Sequence, residues 1–241
     1  MDLKEKEILG HYADSHWYYV SKELALRKFI KTIKFDNILD VGAGSGIFSR
    51  RLLMNSSAKE ATCVDTAYIT EREEEYFGKK INFKKNISYS DSNLALFMDV
   101  IEHVEDDVAF VKEYVNKINT GTYFVVTVPA FQFLFSGHDT FLGHYRRYTL
   151  SSIESCLNSA GLTVIKSNYF FFFITPFAIP IRILEKIKMK FFSNDFVAKS
   201  SLKSCEGFFN NILIKLNKLE SPFFLINKFA GLSIFCLAVK E

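Results

Sequence analysis

An apolar run that ends on three closely spaced glycines constrains this chain more than any other feature: Ile38-Leu39-Asp40-Val41-Gly42-Ala43-Gly44-Ser45-Gly46. The run suits a strand buried on both faces, and the glycines suit a tight turn into a helix from about Ile47 to Met54. Glycine lets the backbone turn sharply and lets a ligand approach a helix amino terminus with no Cβ in the way. A nucleoside-bearing cofactor is therefore implied. The register is G-x-G-x-G, and Ile47 stands where the dinucleotide fingerprint needs its third glycine. Asp40, an acid pointing at the turn, would repel a pyrophosphate but attract a cationic amino group. Both features favour a cofactor with an amino-acid moiety over NAD. Cys63-Val64-Asp65 ends the next strand candidate 23 residues beyond Gly42, about the distance at which an acid meets a ribose diol, and Thr66 lies beside it.

The rest of the chain extends this beginning. A helical pattern from Ile8 to about Lys34 offers Trp17, Leu24, Leu26, Phe29, Ile30 and Ile33 as inner faces. Further strands are expected at Ala61 to Val64, Ile81 to Phe83, Leu94 to Met98, Tyr123 to Val128, Leu162 to about Tyr169, and Gly231 to Val239. Helices are expected from about Asp106 to Ile118 and from Thr149 to Ala160, with Gly161 as the stop. Strands alternating with helices imply an α/β fold with a doubly wound parallel sheet. The expected organisation is a helical cap over residues 1–36, a core over 37–170 and 231–241, and a helical insertion over 171–230.

Composition narrows the class. The 241 residues are 49% apolar and 24% charged, as in an ordinary soluble domain. Cys63, Cys156, Cys205 and Cys236 stand far apart, which suggests neither a zinc cage nor a disulfide framework and fits a reducing, cytoplasmic setting. The polar start MDLKEKEILGHYADSH does not read as a signal peptide, and no apolar run reaches the roughly 18 to 20 residues of a membrane span. The net charge of +3 is mild, so no nucleic-acid partner is expected, but Arg182 to Lys228 alone carries +5. That stretch holds a basic amphipathic candidate, Arg182 to Phe192, and a second from about Phe208 to Leu219. Such helices suit a lid over the pocket, a partner contact, or peripheral contact with an anionic membrane at its inner face.

Acid–base chemistry concentrates in two places. The loop from Pro129 to Tyr148 leaves the carboxyl end of a central strand, the edge where open α/β sheets bind ligands. It carries Gly137-His138-Asp139 and Gly143-His144-Tyr145-Arg146-Arg147-Tyr148. His138 or His144, oriented by Asp139, suits a general base near pH 7; Glu102 and His103, after the fourth strand, are second candidates. Tyr145, Arg146 and Arg147 suit a clamp for an anionic acceptor, although the arginines equally suit salt bridges that fix the loop. No metal is expected, because these histidines lack the H-x-x-x-H or H-x₃₋₅-H spacing of common sites.

Through Asp40 to Gly46, Asp65, and Met98-Asp99-Val100-Ile101-Glu102-His103-Val104-Glu105-Asp106, the chain resembles class I S-adenosylmethionine-dependent methyltransferases. It is similar to a branch with a His-Trp-aromatic helix, here His16-Trp17-Tyr18-Tyr19, and a His-x-Arg-Arg-Tyr loop. The resemblance implies a Rossmann-like, seven-stranded, mostly parallel sheet with an antiparallel last strand. It also places Asp40, Gly42, Ala43, Gly44 and Gly46 around methionine and ribose, Asp65 on the ribose, and Met98 and Asp99 near the sulfonium. Lys22 stands where the family often has an arginine for the cofactor carboxylate. The implied reaction is methyl transfer, with oxygen the expected atom, to a small-molecule, glycan or lipid-linked acceptor. An NAD-linked oxidoreductase and a non-catalytic cofactor-binding scaffold are the rival readings. Calorimetric titration is expected to show binding of S-adenosylmethionine and S-adenosylhomocysteine, weakened about tenfold or more by Asp65→Ala. Binding of NAD alone would replace this reading with the oxidoreductase.

Overall fold

The computed structural model describes residues 10–191 and 207–241, so Ile8, Phe192 and Cys205 lie outside the described residues. A short 3-10 helix over Gly10–Ser15 leads into α1 (Trp17–Phe29). Then follow β1 (Asn37–Val41), α2 (Ile47–Asn55), β2 (Glu60–Val64), β3 (Arg72–Tyr76), β4 (Lys79–Lys84) and β5 (Leu94–Met98). The second half runs α3 (Asp107–Asn116), β6 (Tyr123–Pro129), α4 (Gly137–Leu142), α5 (Leu150–Ser159), β7 (Thr163–Phe170), α6 (Thr175–Phe191), α7 (Phe208–Phe224) and β8 (Ser233–Val239). All strands join one sheet in the order β3-β4-β2-β1-β5-β6-β8-β7. Five central strands run parallel, and β8 inserts antiparallel between β6 and β7.

The seven expected strands are all present, including the antiparallel last one, and an eighth is added at the edge. Arg-Glu-Glu-Glu-Tyr of β3 buries no residue and carries no apolar alternation, so the sequence pattern does not mark it. What makes it a strand is the two-residue turn Phe77-Gly78, with φ of 53° and 71°, which folds β3 back on β4 as a hairpin. Among the described residues no helix lies between β2 and β5, so the strand–helix alternation lapses there.

Both faces of the sheet are covered, as a parallel sheet requires. One core unites β1, β2, β4 and β5 with α1, α2 and α7; the other unites the opposite face with α3 and α5. α7 lies on α1, where Asn217 Nδ2 donates to Ser21 Oγ (2.8 Å) and Trp17 N donates to Asn210 Oδ1 (2.7 Å). Covered on both sides, α1 buries Ser21, Lys22 and Glu23 as well as Leu26 and Phe29, so its polar residues are not a solvated face. The insertion is anchored at Phe224, whose ring centroid lies 5.0 Å from Phe170, 5.3 Å from Phe235 and 5.5 Å from Phe29. Phe224→Ala is expected to cost about 3 to 5 kcal/mol in denaturant unfolding, while Phe223→Ala, at an exposed position, should stay within about 0.5 kcal/mol. Equal effects at the two positions would remove this anchor from the account.

Candidate active site

The turn after β1 is pinned from β2: Gly42 and Ala43 donate their N–H groups to Val64 O at 2.7 and 3.2 Å. Gly42 has φ of 66°, and a Cβ there would stand 2.7 Å from both Val100 methyls; Gly46, at 73°, would meet Cys63 Sγ and Phe83 at 3.2 Å. Neither position accepts a side chain without displacement of its neighbours. Gly44 N donates to Asp65 Oδ2 (2.9 Å) and Ala67 N to Asp65 Oδ1 (2.9 Å), which holds the acid against the turn with Thr66 exposed beside it. Asp40 is buried and accepts from Ser49 Oγ of α2 (2.7 Å). Asp40, Gly42, Ala43, Met98 and Asp99 line a small cleft closed by Tyr18 and Tyr19 of α1.

Asp99, directly after β5, takes a left-handed φ of 56° that non-glycine residues rarely adopt. Its carboxylate accepts from the Lys22 ammonium, from Tyr18 OH (2.7 Å) and from Thr127 Oγ1 (3.1 Å). Lys22 also reaches Thr127 Oγ1 (3.3 Å). Burial works to raise the Asp99 pKa, yet the Lys22 charge and these hydrogen bonds bring it below the ordinary carboxylate value. Lys22, expected on a cofactor carboxylate, is fully buried and pairs with Asp99.

Tyr18 and Asp99 also border a second, larger cavity of about 280 Å³. Its walls include Glu102, His138, His144 and Arg147, with Phe171, Phe177, Ile181 and Arg182 from the segment between β7 and β8. Asp139 organises the loop: it accepts from Arg147 Nε (2.8 Å) and a second guanidinium nitrogen (3.0 Å), and from Ser136 N (2.9 Å). Its Oδ1 also pairs with His144 Nδ1 at 2.8 Å. Although burial opposes it, these partners hold the Asp139 carboxyl well below its ordinary value. Burial, with Arg182 nearby, lowers His138 to about 3, and burial, with His144 nearby, lowers His103 to about 3, so both are neutral at pH 7. Burial, reinforced by Asp99, lifts Glu102 well above the ordinary carboxylate range.

The fold thus brings His138, Asp139, His144, Glu102 and His103 together, as the sequence suggests. The three clamp residues separate. Arg147 lines the cavity but is held by Asp139, whereas Arg146 pairs with Asp107 (2.8 Å) and Tyr145 is exposed; neither lines the cavity. Sequence reasoning missed Thr127, which carries no motif, and Arg182, which reads as one charge among many on an amphipathic helix. Arg182 donates to Ser136 Oγ (2.9 Å), and Ser136 donates to Glu185 (2.9 Å), tying α6 to the histidine loop.

A family model described as a methyltransferase domain matches residues 14–167. No curated protein matches the sequence. Among solved structures, a SAM-dependent methyltransferase from Archaeoglobus fulgidus superposes with a TM-score of 0.55 at 16% identity, over 99% of each chain. Phosphoethanolamine N-methyltransferase 2 of Haemonchus contortus, solved with S-adenosyl-L-methionine, gives 0.52 at 14% identity over 100% of this chain and 60% of that one. A Haloferax volcanii chain solved with the Trm112 methyltransferase activator gives 0.56 at 14% identity, over 100% and 95%. At these identities the likeness is one of fold.

Because the folded-state pKa of Asp99 is depressed, its stabilisation is full above the unfolded value near 3.8 and is lost as pH falls below it. Lys22→Met leaves that carboxyl buried without its cation and is expected to cost about 3 to 5 kcal/mol at pH 7. In the variant burial, the largest influence, is opposed only by the Tyr18 and Thr127 hydrogen bonds, so the sign reverses and the Tm gap to wild type should narrow between pH 7 and 5. A gap independent of pH would sink the assignment.

Proposed function

The chain belongs to the S-adenosylmethionine-dependent methyltransferases, and on that premise we propose that it methylates a hydroxyl of an acceptor held in the 280 Å³ cavity. The observation that carries this reading is the shared wall: Tyr18 and Asp99 face both the glycine cleft and the cavity, so the two compartments meet there. The turn suits the cofactor, since Gly42 takes a φ that side-chain-bearing residues rarely adopt and buried Asp40 offers an acid to a cationic group. Asp40, the glycine turn and Asp65 would hold it, with Met98 and Asp99 at its reactive end. When bound, the cofactor supplies a sulfonium-activated methyl group, so the chain has only to align the acceptor, exclude water and take a proton. His144 suits the role of proton acceptor, because Asp139 fixes Nδ1, and Nε2 is buried with no partner among the described residues. His138 stands as the second imidazole of the same wall.

A lipid-linked acceptor is favoured over a free small molecule or glycan. Phe177 and Ile181 line the cavity and are exposed to solvent as well, and Leu184, Ile187 and Phe191 continue that exposure along α6. Lys186 and Lys188 accompany them, the composition of a surface that rests on anionic lipid. Among the described residues no helix is long and apolar enough to cross a membrane, so the contact would be peripheral.

Methyl-labelled S-adenosylmethionine, incubated with polyprenyl-phosphate-linked sugars and with the corresponding free glycans, is expected to label an oxygen of the lipid-linked form. His144→Ala should lower turnover by about 10² to 10⁴-fold while S-adenosylhomocysteine binding is kept. Label on nitrogen or carbon, or full turnover in the variant, would refute the assignment. Vesicles of phosphatidylglycerol and phosphatidylcholine should carry the protein upward in flotation at low salt, and failure to float would remove the membrane contact.

A further inference from the structure

Four buried polar atoms converge beside the cavity. Both carboxylate oxygens of Glu102, Nε2 of His103 and Nε2 of His144 have no hydrogen-bonding partner among the described residues. One donor atom from each residue lies within 4.8 Å of the other two. Their chain segments are far apart, Glu102 and His103 in the turn after β5 and His144 after α4, and Tyr145 N donates to Glu102 O (2.8 Å) to hold them together. Buried polar groups without partners are costly, and nothing in apolar packing calls for three of them at one point.

We propose that Glu102, His103 and His144 form a binding site for one transition-metal ion of the zinc, iron or cobalt kind. Two imidazoles and one carboxylate are a donor set that suits such ions and not magnesium or calcium. The rings are already aimed. Asp139 holds Nδ1 of His144, which presents Nε2 to the cluster, and a Leu142 backbone hydrogen bond holds the His103 ring. Outer partners of this kind orient the imidazoles of metal sites. The two rings meet edge to face with centroids 4.6 Å apart. An ion with bonds of about 2.1 Å needs donors closer than 4.8 Å, so loading draws the three together by small side-chain rotations. Three protein ligands leave further positions open, and because Glu102 and His144 line the cavity those positions face the acceptor. The spacing rule that excludes a metal from the sequence covers ligands on one helix or hairpin; here the fold brings the ligands together.

The site itself is independent of the acceptor reading, but its consequence rests on it: a cation there would acidify an acceptor hydroxyl beside it, and His144 would act as ligand in place of proton acceptor. Full-length protein, stripped by dialysis against chelator, is titrated with Zn(II) by calorimetry and with Co(II) by visible absorption. One ion per chain is expected, with ligand-field bands for cobalt. Glu102→Gln, nearly isosteric, and His144→Gln should abolish both signals, and Asp139→Asn should weaken affinity by about 10 to 100-fold. S-adenosylhomocysteine binding in the same preparations reports on fold and cofactor site separately. Its loss in the wild type would sink the cofactor reading and leave the metal site standing. Substoichiometric binding by the wild type, or unchanged binding by Glu102→Gln and His144→Gln, would overturn the proposal.

Discussion

The buried Lys22–Asp99 ion pair ties α1 to the carboxyl edge of the sheet, where the glycine cleft and the cavity meet. Lys22 comes from α1 and Asp99 from the end of β5, and neither side chain is more than 6% exposed. Removing two charges from water costs more than their attraction returns unless the remaining hydrogen-bonding groups are also satisfied. Here they are, since Tyr18, Thr127 and the ammonium together occupy the carboxylate. The geometry is therefore all or nothing. With it in place, α1 lies across the carboxyl edge of β1 and β5, and Tyr18 becomes the partition between cleft and cavity. A looser pair would let α1 lift and let water into both compartments.

How much of this was legible depends on the range over which each signal acts. The β1 turn is a local matter, because positive φ, strand burial and helix start all lie within a few residues, and Ile38 to Ile47 read correctly as they stand. The position of Asp65 beside that turn was legible for the same reason, at the end of the adjoining strand. β3 was not, because a hairpin edge strand needs only its turn, and Arg-Glu-Glu-Glu-Tyr carries no core-facing residue. The burial of Ser21, Lys22 and Glu23 was hidden too, because each is covered by a different distant element: Ser21 by Asn217 of α7, Lys22 by Asp99 after β5, and Glu23 by Arg51 and Asn55 of α2. The pairing of Lys22 with Asp99 was equally hidden, since the two lie far apart in the chain.

The histidine loop shows the same division. That His138, Asp139 and His144 would gather at a strand edge follows from topology, since the loop leaves β6 at its carboxyl end. Which group would organise them does not. Asp139 accepts from His144, Arg147 and the Ser136 backbone at once, and so sets the direction of both a cation and an imidazole. Arg147 is held in this structural role, and a second guanidinium, Arg182, reaches the same loop through Ser136 while paired with Glu185.

The segment between β7 and β8 reaches the cavity through Phe177, Ile181 and Arg182 of α6. α6 has few apolar contacts to fix it, for Phe177, Ile181, Leu184 and Ile187 are exposed, and its described attachment to the loop is polar. Arg182 and Glu185, one turn apart, bracket Ser136, and Ser136 is the residue whose backbone caps Asp139. Ser136 is fully buried and the Arg182 side chain only 15% exposed, so breaking these bonds would leave buried polar groups unsatisfied and cost more than losing a surface contact. The helix that brings Phe177, Ile181 and Arg182 to the cavity is thus tied through Ser136 to Asp139, the residue that holds His144.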